Sequence, residues 1–153
     1  MKVLQGRWAV VKGEEPLETE NLGACVALVL LDRENEVAGL LHYVLPESRG
    51  LKAPEGAPGF FANEAIPAFV QEFRTRGGDP LRSRVAVVGA GRFKKVPKAL
   101  DLGARNLAAA RFYLKRLGLE PQIEKVGGME PRRVWVSLRE GLIVYTFDQP
   151  EAL

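Results

Sequence analysis

The chain has 153 residues, 46% hydrophobic and 27% charged, with a formal net charge of +3 at pH 7. That length and balance predict a single domain over residues 1–153 that buries its own core, and they exclude a disordered chain. A lone cysteine, Cys25, rules out an internal disulfide and predicts a reduced, cytoplasmic setting. No stretch approaches the roughly 20 apolar residues of a membrane span, so no membrane insertion is expected, and the mild positive charge favours an acidic partner.

In chain order, GRWAVVKG (6–13) alternates as a strand, and the polar, proline-bearing EEPLETENLG (14–23) reads as a loop. ACVALVLLD (24–32) is an unbroken apolar run and predicts a strand buried on both faces. RENE (33–36) is turn material, and VAGLLHYVL (37–45) is a second apolar strand stopped by Pro46, so the two form a hairpin. PESRGLKAPEGAPGF (46–60) is long enough for a lid or binding loop. NEAIPAFVQEFRTRGG (63–78) predicts a helix capped by Asn63. Ile66, Phe69, Val70 and Phe73 lie on its buried face, and Gly77 and Gly78 end it.

SRVAVVGAG (83–91) is a strand and turn. LDLGARNLAAARFYLKRLG (100–118) predicts a second helix, capped by Asp101 and striped by Leu107, Ala110, Leu114 and Leu117. EPQIEKVGG (120–128) is a weaker strand, and RRVWVSL (132–138) and LIVYTF (142–147) make a closing hairpin. Trp8 and Trp135, both in predicted strands, are assigned to the core. Strands outnumber helices and hairpins stand at both ends. The expected fold is therefore α/β, a three-layer α/β/β sandwich with mixed or mostly antiparallel sheets and two main helices.

The sequence also holds one histidine, His42, in the second strand of the first hairpin. A two-residue loop at Arg33 and Glu34 would set Cys25 directly opposite His42. A four-residue loop, RENE, would set Cys25 opposite Val44 with His42 as diagonal neighbour. Either even loop puts both side chains on one face, about 4.5–5.5 Å apart at Cβ if opposed and about 7–8 Å if diagonal. An imidazole beside a thiol can take its proton and stabilise the thiolate, which is the requirement for a cysteine nucleophile. The imidazole in turn needs a third group to fix its tautomer, and Glu18, Thr19, Glu20 and Asn21 all precede Cys25 closely enough to supply one. The opposing reading is a core-filling cysteine and a hydrogen-bonded buried histidine.

Other motifs carry less. GAGRFK (89–94) begins like a dinucleotide fingerprint but has Lys94 where the third glycine belongs, and reads as a turn. RFKKVPK (92–98) reads as an exposed basic loop, and no nucleic-acid partner is predicted.

Gly23-Ala24-Cys25-Val26-Ala27, preceded by Thr19 and followed by GLLHYVLPES (39–48), resembles the chemoreceptor glutamine deamidases of the CheD family. The likeness continues to about residue 147 through both predicted helices and the closing hairpin. It departs from the family pattern at GGMEPRR (127–133), VGAGRF (88–93) and GFFANEA (59–65). The resemblance implies an α/β/β fold and hydrolysis of glutamine side-chain amides to glutamate on the cytoplasmic helices of methyl-accepting chemotaxis receptors. It assigns Cys25 as nucleophile, His42 as base and then acid, and Thr19 as the group orienting His42. It also implies a CheC-type phosphatase as regulatory partner. The small residues Gly23 and Ala24 make the backbone N–H groups up to Cys25 the candidate oxyanion donors. No metal or organic cofactor is expected, since one histidine with one cysteine is a poor metal site. The competing functions are a non-catalytic adaptor in chemosensory signalling and a small basic binding module with an inert Cys25.

Overall fold

The computed structural model describes residues 1–92, 97 and 100–153; Phe93 to Val96, Lys98 and Ala99, and with them most of the basic RFKKVPK stretch and Lys94, lie outside the described residues. Strands β1 (Arg7–Lys12), β2 (Leu17–Leu22), β3 (Val26–Asp32) and β4 (Val37–Tyr43) precede helix α1 (Ala62–Thr75). Strand β5 (Arg84–Gly89), helix α2 (Leu102–Arg116) and strands β6 (Ile123–Val126), β7 (Arg132–Ser137), β8 (Gly141–Thr146) and β9 (Gln149–Ala152) follow. One sheet has the order β1-β4-β3-β5-β6 and the other β2-β7-β8-β9. Among the described strand pairs, only β5–β6 is parallel.

The apolar runs of β3 and β4 lack a polar face because both of their faces are covered, and all seven residues of each strand are buried. Val26, Leu28 and Leu30 of β3, with Leu41 and Tyr43 of β4, pack against Ile66, Phe69 and Phe73 of α1 and Ala110 and Leu114 of α2. The alternate residues Ala27, Val29, Leu31, Ala38 and Leu40 pack against Leu17, Leu22, Val134, Val136, Leu142 and Val144 of the second sheet. Each large apolar side chain buried in these layers contributes about 1.5–3 kcal/mol. The predicted three layers are therefore present: helices, a five-stranded sheet and a four-stranded sheet.

Several local expectations change. Residues 14–23 are not all loop: LETENL forms β2, in which Leu17, Thr19 and Leu22 are buried. Its inward residues break strict alternation because a β-bulge lies between Thr19 and Leu22, with Asn21 at φ 60°. Asn63 does not cap α1. Phe61 occupies the cap without a side-chain bond, and the Asn63 amide instead bonds the backbone N–H and hydroxyl of Ser48, tying the 46–60 loop to the helix. Asp101 does cap α2, accepting from the Ala104 N–H at 3.0 Å. Trp8 is half-buried but packs against the helix-side core, whereas Trp135 is half-buried; each indole N–H reaches out to a carboxylate, Glu72 and Glu140 respectively. The tail forms an edge strand, β9, whose residues are all exposed and so carry no burial pattern to read.

Candidate active site

The β3–β4 turn decides where Cys25 and His42 stand. Asp32 pairs with Val37 across RENE, and Ala27 pairs with His42, so the loop has four residues. The Asp32 carboxylate fixes this turn by accepting from the Asn35 backbone N–H (3.1 Å), the Asn35 side-chain amide (2.7 Å) and the Asp79 N–H (2.8 Å). Burial alone would raise the Asp32 pKa, but these donors outweigh it and hold the carboxyl below its ordinary value. Cys25 lies one residue outside the ladder with His42 as its diagonal neighbour. The even loop keeps both on the face turned toward the second sheet, where Cys25 packs against the inter-sheet core.

Thr19 reaches the same place from the second sheet. Its hydroxyl donates to the Val3 carbonyl (2.6 Å) and lies 2.7 Å from His42 Nδ1. A hydroxyl has one proton, and Val3 takes it. His42 Nδ1 must therefore carry a hydrogen and donate to Thr19, which leaves the Nε2 lone pair free. That Nε2 is buried and has no hydrogen-bond partner among the described residues, so the Cys25 thiol is not bonded to it at rest.

Burial lowers the His42 pKa from 6.5 to about 4. Burial also raises that of Cys25, only partly offset by the residue's own N–H. The pair is therefore a neutral thiol beside a neutral imidazole at pH 7, rather than a pre-formed thiolate–imidazolium. Cys25 itself is half-buried, so it is neither sealed in the core nor fully solvated.

The backbone around Cys25 is held by the turn after β5. Ala90 N–H donates to the Cys25 carbonyl (2.9 Å) and Gly91 N–H to the Gly23 carbonyl (2.8 Å). Gly89 has φ +110°, and a Cβ there would lie 2.4 Å from the Cys25 carbonyl oxygen, so only glycine fits. The GAG motif is thus a cradle for the Cys25 loop. Of the predicted oxyanion positions, the Gly23 N–H is already committed to the Asn21 carbonyl (3.1 Å). Among the described residues, the Ala24 and Cys25 N–H groups donate to no backbone carbonyl.

Asn106 of α2 escaped the sequence reading. It is fully buried, and its Nδ2 donates to both the Ala24 and the Val44 carbonyls, each at 2.9 Å. The available signal was its position four residues before Ala110 and eight before Leu114, which puts a polar side chain on the apolar stripe.

A cleft of about 280 Å³ opens beside Thr19, bounded also by Leu4, Gln5 and Asn21. A larger cavity of about 450 Å³ lies elsewhere, between α2 and the loop after β4, with Phe112 and Tyr113 in its wall; neither Thr19, Cys25 nor His42 lines it. Of Thr19, Cys25 and His42, Thr19 alone lines the smaller cleft. Among the described residues no three histidine, cysteine or acidic side chains converge as metal donors, and no helix is long and apolar enough to cross a membrane.

Thr19 and His42 are thus hydrogen-bonded between the two sheets of an α/β/β sandwich, and Cys25 lies on the same face of the first sheet. Residues 44–146 match the family model described as CheD, chemotactic sensory transduction. The chain is 36% identical over 146 residues to the probable chemoreceptor glutamine deamidase CheD of Methanococcus maripaludis, covering 94% of this chain and 92% of that protein. It is 32% identical over 145 residues to the probable chemoreceptor glutamine deamidase CheD of Pyrococcus abyssi, covering 94% and 88%. It is 31% identical over 140 residues to the chemoreceptor glutamine deamidase CheD of Thermotoga maritima, covering 91% and 86%. The chain belongs to the CheD family. The family-model match starts after His42, so the thiol, imidazole and hydroxyl rest on their own geometry.

Proposed function

We propose that this chain is a cysteine-dependent deamidase that converts glutamine side chains of chemoreceptors to glutamate, with Cys25, His42 and Thr19 as its catalytic triad. The observation that carries the reading is the Val3–Thr19–His42 relay, which leaves an unprotonated, unpartnered Nε2 on the face shared with Cys25. His42 Nε2 takes the thiol proton as the sulfur attacks the carboxamide carbon. The oxyanion that develops is received by the backbone N–H groups of Ala24 and Cys25. The protonated His42 then gives its hydrogen to the departing nitrogen, the C–N bond breaks and ammonia leaves a thioester. His42 activates a water, which cleaves the thioester to the carboxylate and restores the thiol.

The substrate is the glutamine-bearing cytoplasmic helices of the receptor, the setting is the reduced cytoplasm, and residues 1–153 act as one domain. A CheC-type phosphatase is the regulatory partner that the family resemblance implies. The test is mass spectrometry of a glutamine-bearing receptor fragment after incubation with the protein. The expected result is the small mass gain of amide-to-acid conversion, absent with Cys25→Ala although that variant keeps its fold. Conversion by Cys25→Ala at the wild-type rate would overturn the scheme.

A further inference from the structure

Asn106 makes a specific pattern of bonds in a place where any polar side chain is costly. It is fully excluded from solvent on α2, among Ala109, Ala110 and Leu114. Its amide orientation is fixed by its partners. Nδ2 sits 2.9 Å from each of two carbonyl oxygens, and the reverse orientation would set its own oxygen against both. One carbonyl, of Ala24, immediately precedes the Cys25 N–H; the other, of Val44, closes the strand that carries His42. Its Oδ1 has no partner among the described residues. A buried amide with an unused acceptor is a poor way to stabilise a helix, so the two bonds it does make call for another explanation.

Peptide geometry supplies one. In a trans peptide the C=O and the following N–H point in opposite directions. There are no cis peptide bonds among the described residues. Asn106 draws the Ala24 carbonyl toward α2, so the Cys25 N–H points away from the helix and toward the inter-sheet side, where the Cys25 and His42 side chains lie. That N–H donates to no backbone carbonyl among the described residues.

We infer that Asn106 is a positioning residue for the reaction: by holding the Ala24 carbonyl toward α2 it aims the Cys25 N–H at the oxyanion. The inference rests on the deamidase reading above and adds a residue to it. Asn106 touches neither substrate nor the reacting atoms. Its effect appears only when negative charge develops on the carbonyl oxygen under attack, so it separates two reactions of the same thiol. Amide hydrolysis develops an oxyanion; alkylation by iodoacetamide displaces iodide and develops none.

The test is steady-state ammonia release from a glutamine-bearing receptor fragment by the full chain, alongside iodoacetamide alkylation of Cys25. Asn106→Leu keeps the branched shape and removes both donors. Its kcat falls about 10- to 100-fold, the range expected for a misaligned oxyanion donor. KM and the alkylation rate stay at wild-type values. Tyr43→Phe is the control. It removes the other tie between this helix and β4, the Tyr43 hydroxyl on the Asn106 carbonyl (2.7 Å), and leaves the side-chain amide in place. Its kcat is unchanged.

Where Asn106→Leu does not fold, Asn106→Asp carries the test. Its ionised carboxylate cannot donate and its protonated form can, so kcat relative to wild type rises as pH falls. Wild-type kcat in folded Asn106→Leu, an alkylation rate that falls with kcat, an equal loss in Tyr43→Phe, or a pH profile of Asn106→Asp parallel to wild type would each overturn the inference. A wild type that releases no ammonia overturns the deamidase reading and this inference with it. An active wild type with an unaffected variant overturns the inference alone.

Discussion

Thr19→Val is the substitution that most directly tests the relay. Valine keeps the shape of threonine and removes only the hydroxyl, which holds two buried partners, the Val3 carbonyl at 2.6 Å and His42 Nδ1 at 2.7 Å. Thr19 is 2% exposed and His42 also 2%, so water does not readily replace the lost oxygen. Leaving a buried donor unsatisfied costs about 1–3 kcal/mol. That penalty falls on the Nδ1–H tautomer, the one with its Nε2 lone pair free. The competing tautomer, with hydrogen on Nε2, cannot act as base toward Cys25. At about 1.36 kcal/mol per tenfold, the competent population drops roughly 5- to 150-fold. The expected outcome is a fall of that size in kcat for ammonia release, with KM unchanged because Thr19 binds no substrate in this scheme. Thr19→Ser restores the oxygen and stays within a few-fold of wild type. A folded Thr19→Val with wild-type kcat would show that the relay does not set the histidine, and the proposed triad would lose its third member.

The remaining expectations concern protonation and packing. His42 must be neutral to act as base, so kcat/KM should hold well below pH 6 and fall only near pH 4; an acid limb at the ordinary histidine value of 6.5 would refute the buried imidazole. The same depression makes His42 a pH-dependent load on stability. The unfolded chain takes up the proton first as pH falls, so stability is full above about 6.5, declines between there and about 4, and then levels. The shift is worth about 3 kcal/mol. In denaturant titrations at pH 7 and pH 4, wild type should lose that much more than His42→Gln, and equal losses would contradict it. Because burial raises the Cys25 thiol, its iodoacetamide rate should still be climbing above pH 8, and a plateau by pH 7 would mean a resting thiolate. Gly103→Ala would place a Cβ 2.2 Å from the Gly91 carbonyl oxygen and 2.5 Å from that of Ala90. Backbone atoms cannot turn aside as a side chain can, so the start of α2 moves off the β5 turn, at a cost of about 1–3 kcal/mol by chemical denaturation; a change within about 0.5 kcal/mol would refute the clash.

What could be read from the chain alone follows from how each residue signals its place. The runs 24–32 and 37–45 declared two-sided burial by having no polar face, and the even loop between them was enough to put Cys25 and His42 on one side whichever register held. The choice of register needed the Asp32–Asn35 contacts, which are side-chain geometry and not pattern. Strand β2 was hidden because the bulge at Asn21 destroys the alternation that identifies a half-buried strand. β9 was hidden because an exposed edge strand has no alternation to show. Asn63 was misread since its amide had a better use, bracing Ser48, than capping a helix end. Thr19 could be matched to a family pattern, but its partner Val3 offers only a carbonyl oxygen, and every residue in the chain has one.

The proposed chemistry uses an atom whose burial costs folding free energy. His42 Nε2 is an acceptor buried without a donor among the described residues, while its Nδ1 is fully engaged. Such an atom costs folding free energy on the order of 1–3 kcal/mol. The same burial that leaves it unpaired pushes the imidazole down and the thiol up, so neither carries charge at rest. In the proposed reaction, charge separation is then deferred until a substrate carbonyl arrives to receive the sulfur. At that point the emerging oxyanion meets backbone donors, and the imidazolium meets the Thr19 oxygen already waiting on Nδ1. An ion pair formed in advance would have to be stabilised in the empty site, and part of that stabilisation would be lost on reaching the transition state. Keeping the pair neutral reserves those interactions for the step at which they lower the barrier.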